Sequence, residues 1–301
     1  MEPFASTEKS LEKPALLARS IALMKPVTWF APMWALLCGA IASGATSWSL
    51  PDIFRMFLGA VMAGPVLCGV SQVINDYFDR EVDALNEPDR LIPAGLVSLR
   101  QVIVTIVILA IIGVAIALYL GRGVTLLVGI GLLFALLYST PPVRAKRNGW
   151  VGNTLVAISY EGLAWLAGHI AFAALTPASI LMAALYSFGT HGIMSINDFK
   201  SIKGDKASGI NTIPVIYGEK GAARLIVMTM DVAQVGVITA LLAWGLWPFA
   251  AIIAAILLIQ LPIQIKFLKD PEEMFLRFSA IGVNFFVWGM MVTAIGIRTL
   301  S

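Results

Sequence analysis

Charge is scarce in this chain. Of 301 residues only 13% are Asp, Glu, Lys or Arg, against 58% hydrophobic. That balance excludes an ordinary soluble globular domain and leaves the bilayer as the solvent. Cysteine is scarcer still, with Cys38 and Cys68 alone. Both sit inside apolar runs without metal-ligand spacing, so neither a disulfide framework nor a zinc site is expected and both read as packing residues. A cleavable signal is not expected either, because Glu8, Lys9, Glu12, Lys13 and Pro14 interrupt any apolar core before the first long run. The formal charge of +3 is uninformative, and no nucleic-acid partner is expected.

Apolar runs are present in abundance. A membrane-crossing helix needs about 20 such residues, which gives about nine spans: 26–47, 53–74, 99–120, 122–139, 151–172, 177–196, 221–243, 247–267 and 279–298. The expected fold is an all-α integral membrane protein, a bundle of about nine transmembrane helices over 26–301. It is preceded by an N-terminal cytoplasmic or interfacial segment, 1–25, in which Ala15 to Met24 can lie flat at the lipid interface. Alternating the spans puts Lys9, Lys13, Arg19, Lys25, Arg80, Arg90, Arg100, Arg144, Lys146, Arg147, Lys200, Lys203, Lys206, Lys220, Arg224, Lys266, Lys269 and Arg277 on one side. Arg55, Arg122 and Arg298 fall on the other. The first side, with the N-terminus, is expected in the cytoplasm. Trp29 and Trp150 near the inner ends and Trp48, Trp244 and Trp247 near the outer ends fit an interfacial aromatic belt.

The outer connections are tight turns, whereas three inner ones, roughly 75–98, 140–150 and 197–220, carry nearly all the polar residues. A site mounted on a rigid bundle belongs in such loops. Two of them open alike, Asn75-Asp76 and Asn197-Asp198, each followed by an aspartate seven positions after the first, Asp83 and Asp205. This weak internal repeat suggests two related halves with facing acidic ends.

On a helix, Asp76, Asp79 and Asp83 fall within about 60° of one another, a single carboxylate stripe. Asp198 and Asp205 offer a matching second stripe at the same seven-residue phase. Like charges beside hydrocarbon repel and are costly to desolvate, and a divalent cation resolves both problems. Mg2+ is held by one or two carboxylates together with substrate phosphates, so the chemistry that fits is metal-assisted departure of diphosphate. Arg80, Arg90, Arg144, Lys146, Arg147, Lys200 and Lys206 supply forks and point charges suited to grip that group, though part of this charge is ordinary topology signal.

The Asn75 to Asp83 stretch resembles the NDxxDxxxD motif of the UbiA superfamily of intramembrane prenyltransferases, and within it the chlorophyll and bacteriochlorophyll synthase branch. The stretches carrying the resemblance are Lys25 to Phe30, Asn75 to Gly95, Tyr138-Ser139-Thr140-Pro141-Pro142, Asn148 to Asn153 and Ile196 to Asp205. Many relatives carry a third acid in the second motif where Ser201 stands here, and the usual Arg-Pro after the first motif reads Arg90-Leu91. The resemblance implies a nine-helix bundle that binds an isoprenyl diphosphate through Mg2+ in a central cavity. It implies esterification of a chlorophyllide or bacteriochlorophyllide propionate with a geranylgeranyl or phytyl group, in a bacterial inner, photosynthetic membrane. On this reading Asp76, Asp79, Asp83, Asp198 and Asp205 hold Mg2+ directly or through water, and Asn75 and Asn197 orient the ligand set. Arg80, Arg90, Arg144, Lys146, Lys200 and Tyr138 contact substrate. Membrane lipid and other pigment-biosynthesis membrane proteins are the expected surroundings.

Glu161 lies about ten residues, or roughly 15 Å, into the fifth span. At that depth it either hydrogen-bonds a polar edge of the acceptor or is a protonated or partnered structural glutamate. His191, about two turns before Asp198, either ligates the acceptor's central magnesium or packs. His169 near the outer end has the weaker claim. Asp231 either pairs with a neighbouring helix or meets substrate, and Trp34, Trp165 and Trp288 either line a cavity or pack. Two rival functions stay open at this point. One is a relative acting on a quinone precursor or haem. The other is a secondary transporter, whose repeats and intramembrane acids look similar.

Overall fold

A computed structural model of the protein describes residues 15 to 300, so Lys9, Lys13 and most of the expected N-terminal segment lie outside the described residues. Among the described residues there are helices and no strand, with a single bridge between Asn148 and Asn211 tying two inner loops. Helix α1 (Leu16–Leu23) exposes Leu16 and Leu17 and buries Leu23. A 3-10 turn, Pro26–Thr28, joins it to α2 (Phe30–Ala42) through a bend of 63°. Helix α3 (Leu50–Val61) runs through a π-helical turn, Met62–Cys68, into α4 (Gly69–Asn86). The wider turn houses Pro65, which has no N–H to donate. Helices α5 (Leu99–Leu120) and α6 (Arg122–Ser139) follow.

Helix α7 (Gly149–Ala157) continues through a second π turn, Ile158–Leu163, into α8 (Ala164–Ile170). Helix α9 (Pro177–Met194) ends in a 3-10 turn, Ser195–Lys200, followed by short α10 (Ile202–Ala207). Helix α11 (Ile213–Ala243) is kinked at Gly218, where φ is 69°. Helix α12 (Trp247–Lys269) precedes α13 (Pro271–Phe278), which passes through a third π turn, Ser279–Val283, into α14 (Asn284–Arg298). Side chains written into the sequence start many of these helices. Ser49, Ser98, Asn148, Thr176 and Asp270 each accept a first-turn backbone N–H.

Among the described residues seven helical stretches are long and apolar enough to cross a membrane, and the bent α1–α2 pair, counted as one span, would be an eighth. The remaining expected span, 151–172, corresponds to the unbroken α7–α8 stretch, whose apolarity is diluted by Asn153, Glu161 and His169. The chain is an integral membrane protein. Helix α9 with its 3-10 turn is the most buried span, 67% of its apolar window, and α6 the least, at 17%. Ile103, Val107 and Ile111 on α5 and Leu126 and Leu133 on α6 face outward, which only a lipid surround makes favourable.

Helix–helix contact rests on small residues where backbones cross. A Cβ on Gly39 of α2 would lie 1.8 Å from the Trp165 carbonyl oxygen, and one on Gly168 of α8 would lie 1.9 Å from that of Leu36. Between helices in lipid, such close approach replaces the hydrophobic drive that water would supply.

Candidate active site

The last three turns of α4 carry the first acidic motif, and burial there sharpens every charge. Asp76 and Asp83 are buried, and each expected stripe carboxylate finds a cation of the same chain. Lys25, at the α1–α2 bend, donates to Asp76 Oδ1 at 2.7 Å. Arg90 sets one guanidinium nitrogen 2.9 Å from Asp83 and 3.7 Å from Asp76, while its other nitrogens clamp Glu87 at 2.6 and 3.0 Å. Asp79 takes Arg144 at 2.9 Å on one oxygen and Lys146 on the other. Lys146 also donates to Asn75 Oδ1 at 3.1 Å, and the Ser139 hydroxyl reaches that oxygen at 3.4 Å. Burial pulls the Lys146 ammonium below the usual lysine range, and the Asp79 charge beside it opposes that shift.

The second acidic motif is built differently from the first. Asp198 sits in the 3-10 turn after α9 and Asp205 in separate α10, with Ser201, at φ −118° and ψ 5°, breaking the helix between them. The expected continuous stripe is therefore corrected: the seven-residue spacing does not place these two on one helix face. The Ser201 hydroxyl donates to Asp205 Oδ2 at 2.7 Å, so the residue standing where many relatives carry an acid serves the remaining one. Burial raises the Asp205 carboxyl above its ordinary range, and the Ser201 hydrogen bond lowers it in part. Neither Asp198 nor Asp205 forms an ion pair among the described residues; Lys200, exposed, acts on Asp198 through its charge alone.

One cavity of about 630 Å3 touches both motifs through Asn75, Asn197 and Asp198, while Asp76, Asp79, Asp83 and Asp205 are not among its lining residues. Asn75, Tyr138, Asn197 and Asp198 line its polar end, with Leu36, Met62, Leu67, Leu127, Leu132 and Leu163 among its apolar walls. Tyr138 of α6 lines the cavity with Asn75 of the first motif and Asn197 and Asp198 of the second, so the two motifs and α6 meet at one polar end.

Other expected site residues lie elsewhere. Arg80 turns back on its own helix, donating to the Tyr77 carbonyl at 2.7 Å and to Glu81 at 3.1 Å, its guanidinium over the Tyr77 ring. Glu161 is buried with Oε2 unpartnered, near Cys38, and is not among the cavity-lining residues. His191 stacks on Trp150 at 5.3 Å and shares a 3.1 Å hydrogen bond with Thr154, also outside the lining. His169 meets the Ala174 carbonyl at 3.0 Å. Asp231 accepts from Gln264 of α12 at 2.7 Å, the neighbouring-helix pairing. Trp165 is fully buried and donates to Ser179, and Trp34 donates to the Val287 carbonyl against Trp288, so all three tryptophans pack.

One polar group inside the mouth is absent from the sequence-based expectations. Gln72 Nε2 donates to the Tyr160 hydroxyl at 3.1 Å. Cys68 Sγ lies 3.1 Å from that hydroxyl and 3.1 Å from Thr28 Oγ1. All four side chains line the cavity. Gln72 stands one turn before Asn75, a signal available in the sequence; Tyr160 faces inward because of the second π turn, which no local pattern announces.

The model of the UbiA prenyltransferase family matches residues 31–290, and the chain belongs to that family. It is 59% identical over 284 residues to the bacteriochlorophyll synthase 34 kDa chain of Chloroflexus aurantiacus, covering 94% of this chain and 91% of the relative. It is 40% identical to the bacteriochlorophyll synthase 33 kDa chain of Cereibacter sphaeroides, covering 97% and 96%. Against the chloroplastic chlorophyll synthase of Arabidopsis thaliana it is 40% identical, covering 91% and 73%. Among solved structures, one of digeranylgeranylglyceryl phosphate synthase superposes with a TM-score of 0.70 at 22% identity, covering 93% of this chain and 99% of that one. A UbiA homologue from Archaeoglobus fulgidus bound to DMAPP and Mg2+ superposes with a TM-score of 0.68 at 20% identity, covering 92% and 99%. Membership in a prenyltransferase family sets aside the secondary-transporter reading.

Proposed function

We propose that the protein transfers a geranylgeranyl or phytyl group from its diphosphate to the propionate of a chlorophyllide or bacteriochlorophyllide, releasing diphosphate. The single observation that carries this is that both Asn-Asp motifs contribute to the polar end of one apolar cavity, through Asn75, Asn197 and Asp198, in a chain 59% identical to a named bacteriochlorophyll synthase chain. That identity favours a tetrapyrrole acceptor over a quinone precursor or haem.

In donor chemistry the residues suit a divalent cation, although among the described residues no three of them are gathered as a ligand group. All five aspartates are oxygen donors suited to Mg2+. Asp76, Asp79 and Asp83 already draw Lys25, Arg90, Arg144 and Lys146 onto themselves, while Asp198, in the cavity lining, and Asp205 form no ion pair among the described residues. Asp76, Asp79, Asp83, Asp198 and Asp205 would hold Mg2+, which when bound neutralises the departing diphosphate as a Lewis acid. Asn75 and Asn197 orient the set, and Arg144, Lys146 and Lys200 bind diphosphate oxygens. The isoprenoid tail lies along the apolar walls and Tyr138 caps the head end. The acceptor is a carboxylate, ionised near neutral pH, so its attack on the allylic carbon requires no general base, and alignment of the two substrates supplies much of the rate. Val27, Phe30, Val283 and Val287 line the cavity between α2 and the α13–α14 stretch, with Val27 90% exposed, an opening through which a long tail and an esterified pigment pass sideways into lipid. The mouth faces the cytoplasm of a bacterial inner membrane, as the placement of lysine and arginine indicates.

The test is purified protein with defined prenyl diphosphates and defined chlorophyllides, read by mass spectrometry of the ester and by diphosphate release. The Asp76→Asn, Asp79→Asn double variant should lose at least about 100-fold in turnover, and chelation should abolish the parental reaction until Mg2+ is restored. Parental turnover in the correctly inserted double variant, or in chelator, would sink the proposal.

A further inference from the structure

Lys25 is placed by a strained segment of backbone. It stands at the 63° bend between α1 and α2 with φ 48° and ψ 71°, a left-handed conformation costly for a residue with a Cβ. The surrounding structure holds it there. Trp29 Nε1 donates to the Met24 carbonyl at 2.8 Å, Thr28 Oγ1 to the Lys25 carbonyl at 2.8 Å, and Leu23 is buried with Val73, Val97 and Val102. Strain maintained on both sides of one side chain calls for a reason in what that side chain does. Its ammonium reaches Asp76 Oδ1 at 2.7 Å, while Arg90 stays 3.7 Å away and directs its short contacts to Asp83 and Glu87. Asp76 therefore takes its short ion pair from Lys25 and a longer one from Arg90, whereas both cations of Asp79 lie close.

A lysine is suited to change partners. Its charge sits at the end of a flexible four-carbon stem with three rotatable donors, and it serves as a point charge for phosphate oxygens without the fixed fork of arginine. A divalent metal held at Asp76 would take the lysine's only ion-pair partner among the described residues and leave its ammonium, two residues before Val27 of the cavity wall, free to meet a diphosphate at that end of the cavity. We propose that Lys25 is a diphosphate-binding residue delivered by the N-terminal bend: it neutralises Asp76 before substrate arrives and transfers to the donor's diphosphate when Asp76 takes metal. This rests on the reading that the acidic mouth takes a metal-bound diphosphate.

The inference makes two affinities move in opposite directions. By isothermal titration calorimetry, Lys25→Met should bind Mg2+ alone several-fold more tightly, because a competing cation is gone. It should bind inorganic pyrophosphate in the presence of Mg2+ at least tenfold more weakly, and Lys25→Arg should recover most of that loss. In the parental protein, reductive methylation of Lys25 read by peptide mass spectrometry should rise with Mg2+ alone and fall with Mg2+ and pyrophosphate together, which requires no variant to fold. Parental pyrophosphate affinity in Lys25→Met, or Lys25 methylation unprotected by pyrophosphate, overturns the inference and leaves the proposed function standing. Parental protein that binds no pyrophosphate with Mg2+ overturns both.

Discussion

Tyr160 shows how much a single hydroxyl can organise. Gln72 and Cys68 both meet it, in a cavity wall that is otherwise largely apolar. Tyr160→Phe leaves the Gln72 amide without its partner, and the expected cost is about 1 kcal/mol, measured as a lowered unfolding midpoint in detergent; an unchanged midpoint would show that the amide finds water instead. The aspartates of the first motif are legible in the sequence because carboxylates repeated at a fixed helical phase beside hydrocarbon are hard to stabilise without a cation; of the five expected aspartates, Asp198 is the one among the cavity-lining residues. Their partners are less so. Lys25 reads in the sequence as a topology charge, and Arg80 as a diphosphate ligand although the structure turns it onto Tyr77 and Glu81, because residue type does not say which way a side chain leaves its helix. The same gap covers Glu161 and His191, whose depth follows from the sequence and whose facing does not.

At the scale of elements, apolar runs locate the helices because a bilayer demands their length, and α5 and α6 begin and end where those runs do. The second acidic motif departs from its expected form for a local reason. Its seven-residue spacing matches the first, yet the helix breaks at Ser201. The α2–α8 crossing yields a separate prediction. Gly168→Ala sets a methyl group 1.9 Å from the Leu36 carbonyl oxygen, which backbone must yield to, so a loss of about 1 to 3 kcal/mol is expected. Thermal unfolding of the purified variant, compared with Gly129→Ala on outward-facing α6, where a Cβ meets nothing within 4 Å, measures it. Equal midpoints for the two would show that the crossing has slack.

For the whole molecule, the arrangement of charge predicts which side each loop occupies. Cys38 and Cys68 are buried and free, so thiol labelling starts from a low background. In sealed inverted vesicles an impermeant maleimide should modify Lys203→Cys and spare Ser47→Cys, with the reverse in right-side-out spheroplasts; the opposite pattern would invert the topology and put the acidic mouth outside. The three π turns bear on how the molecule tolerates editing. Every one of them, Met62–Cys68, Ile158–Leu163 and Ser279–Val283, contributes to the cavity wall. A π turn holds a surplus residue relative to α winding, so excising that residue lets α winding resume with everything beyond it in phase, whereas an excision in the α-wound part of the same span turns everything beyond it by about 100°. A one-codon deletion at Val73 would thus swing Asp76, Asp79 and Asp83 to another face while one within Met62–Cys68 would spare them, a difference invisible to any count of apolar residues.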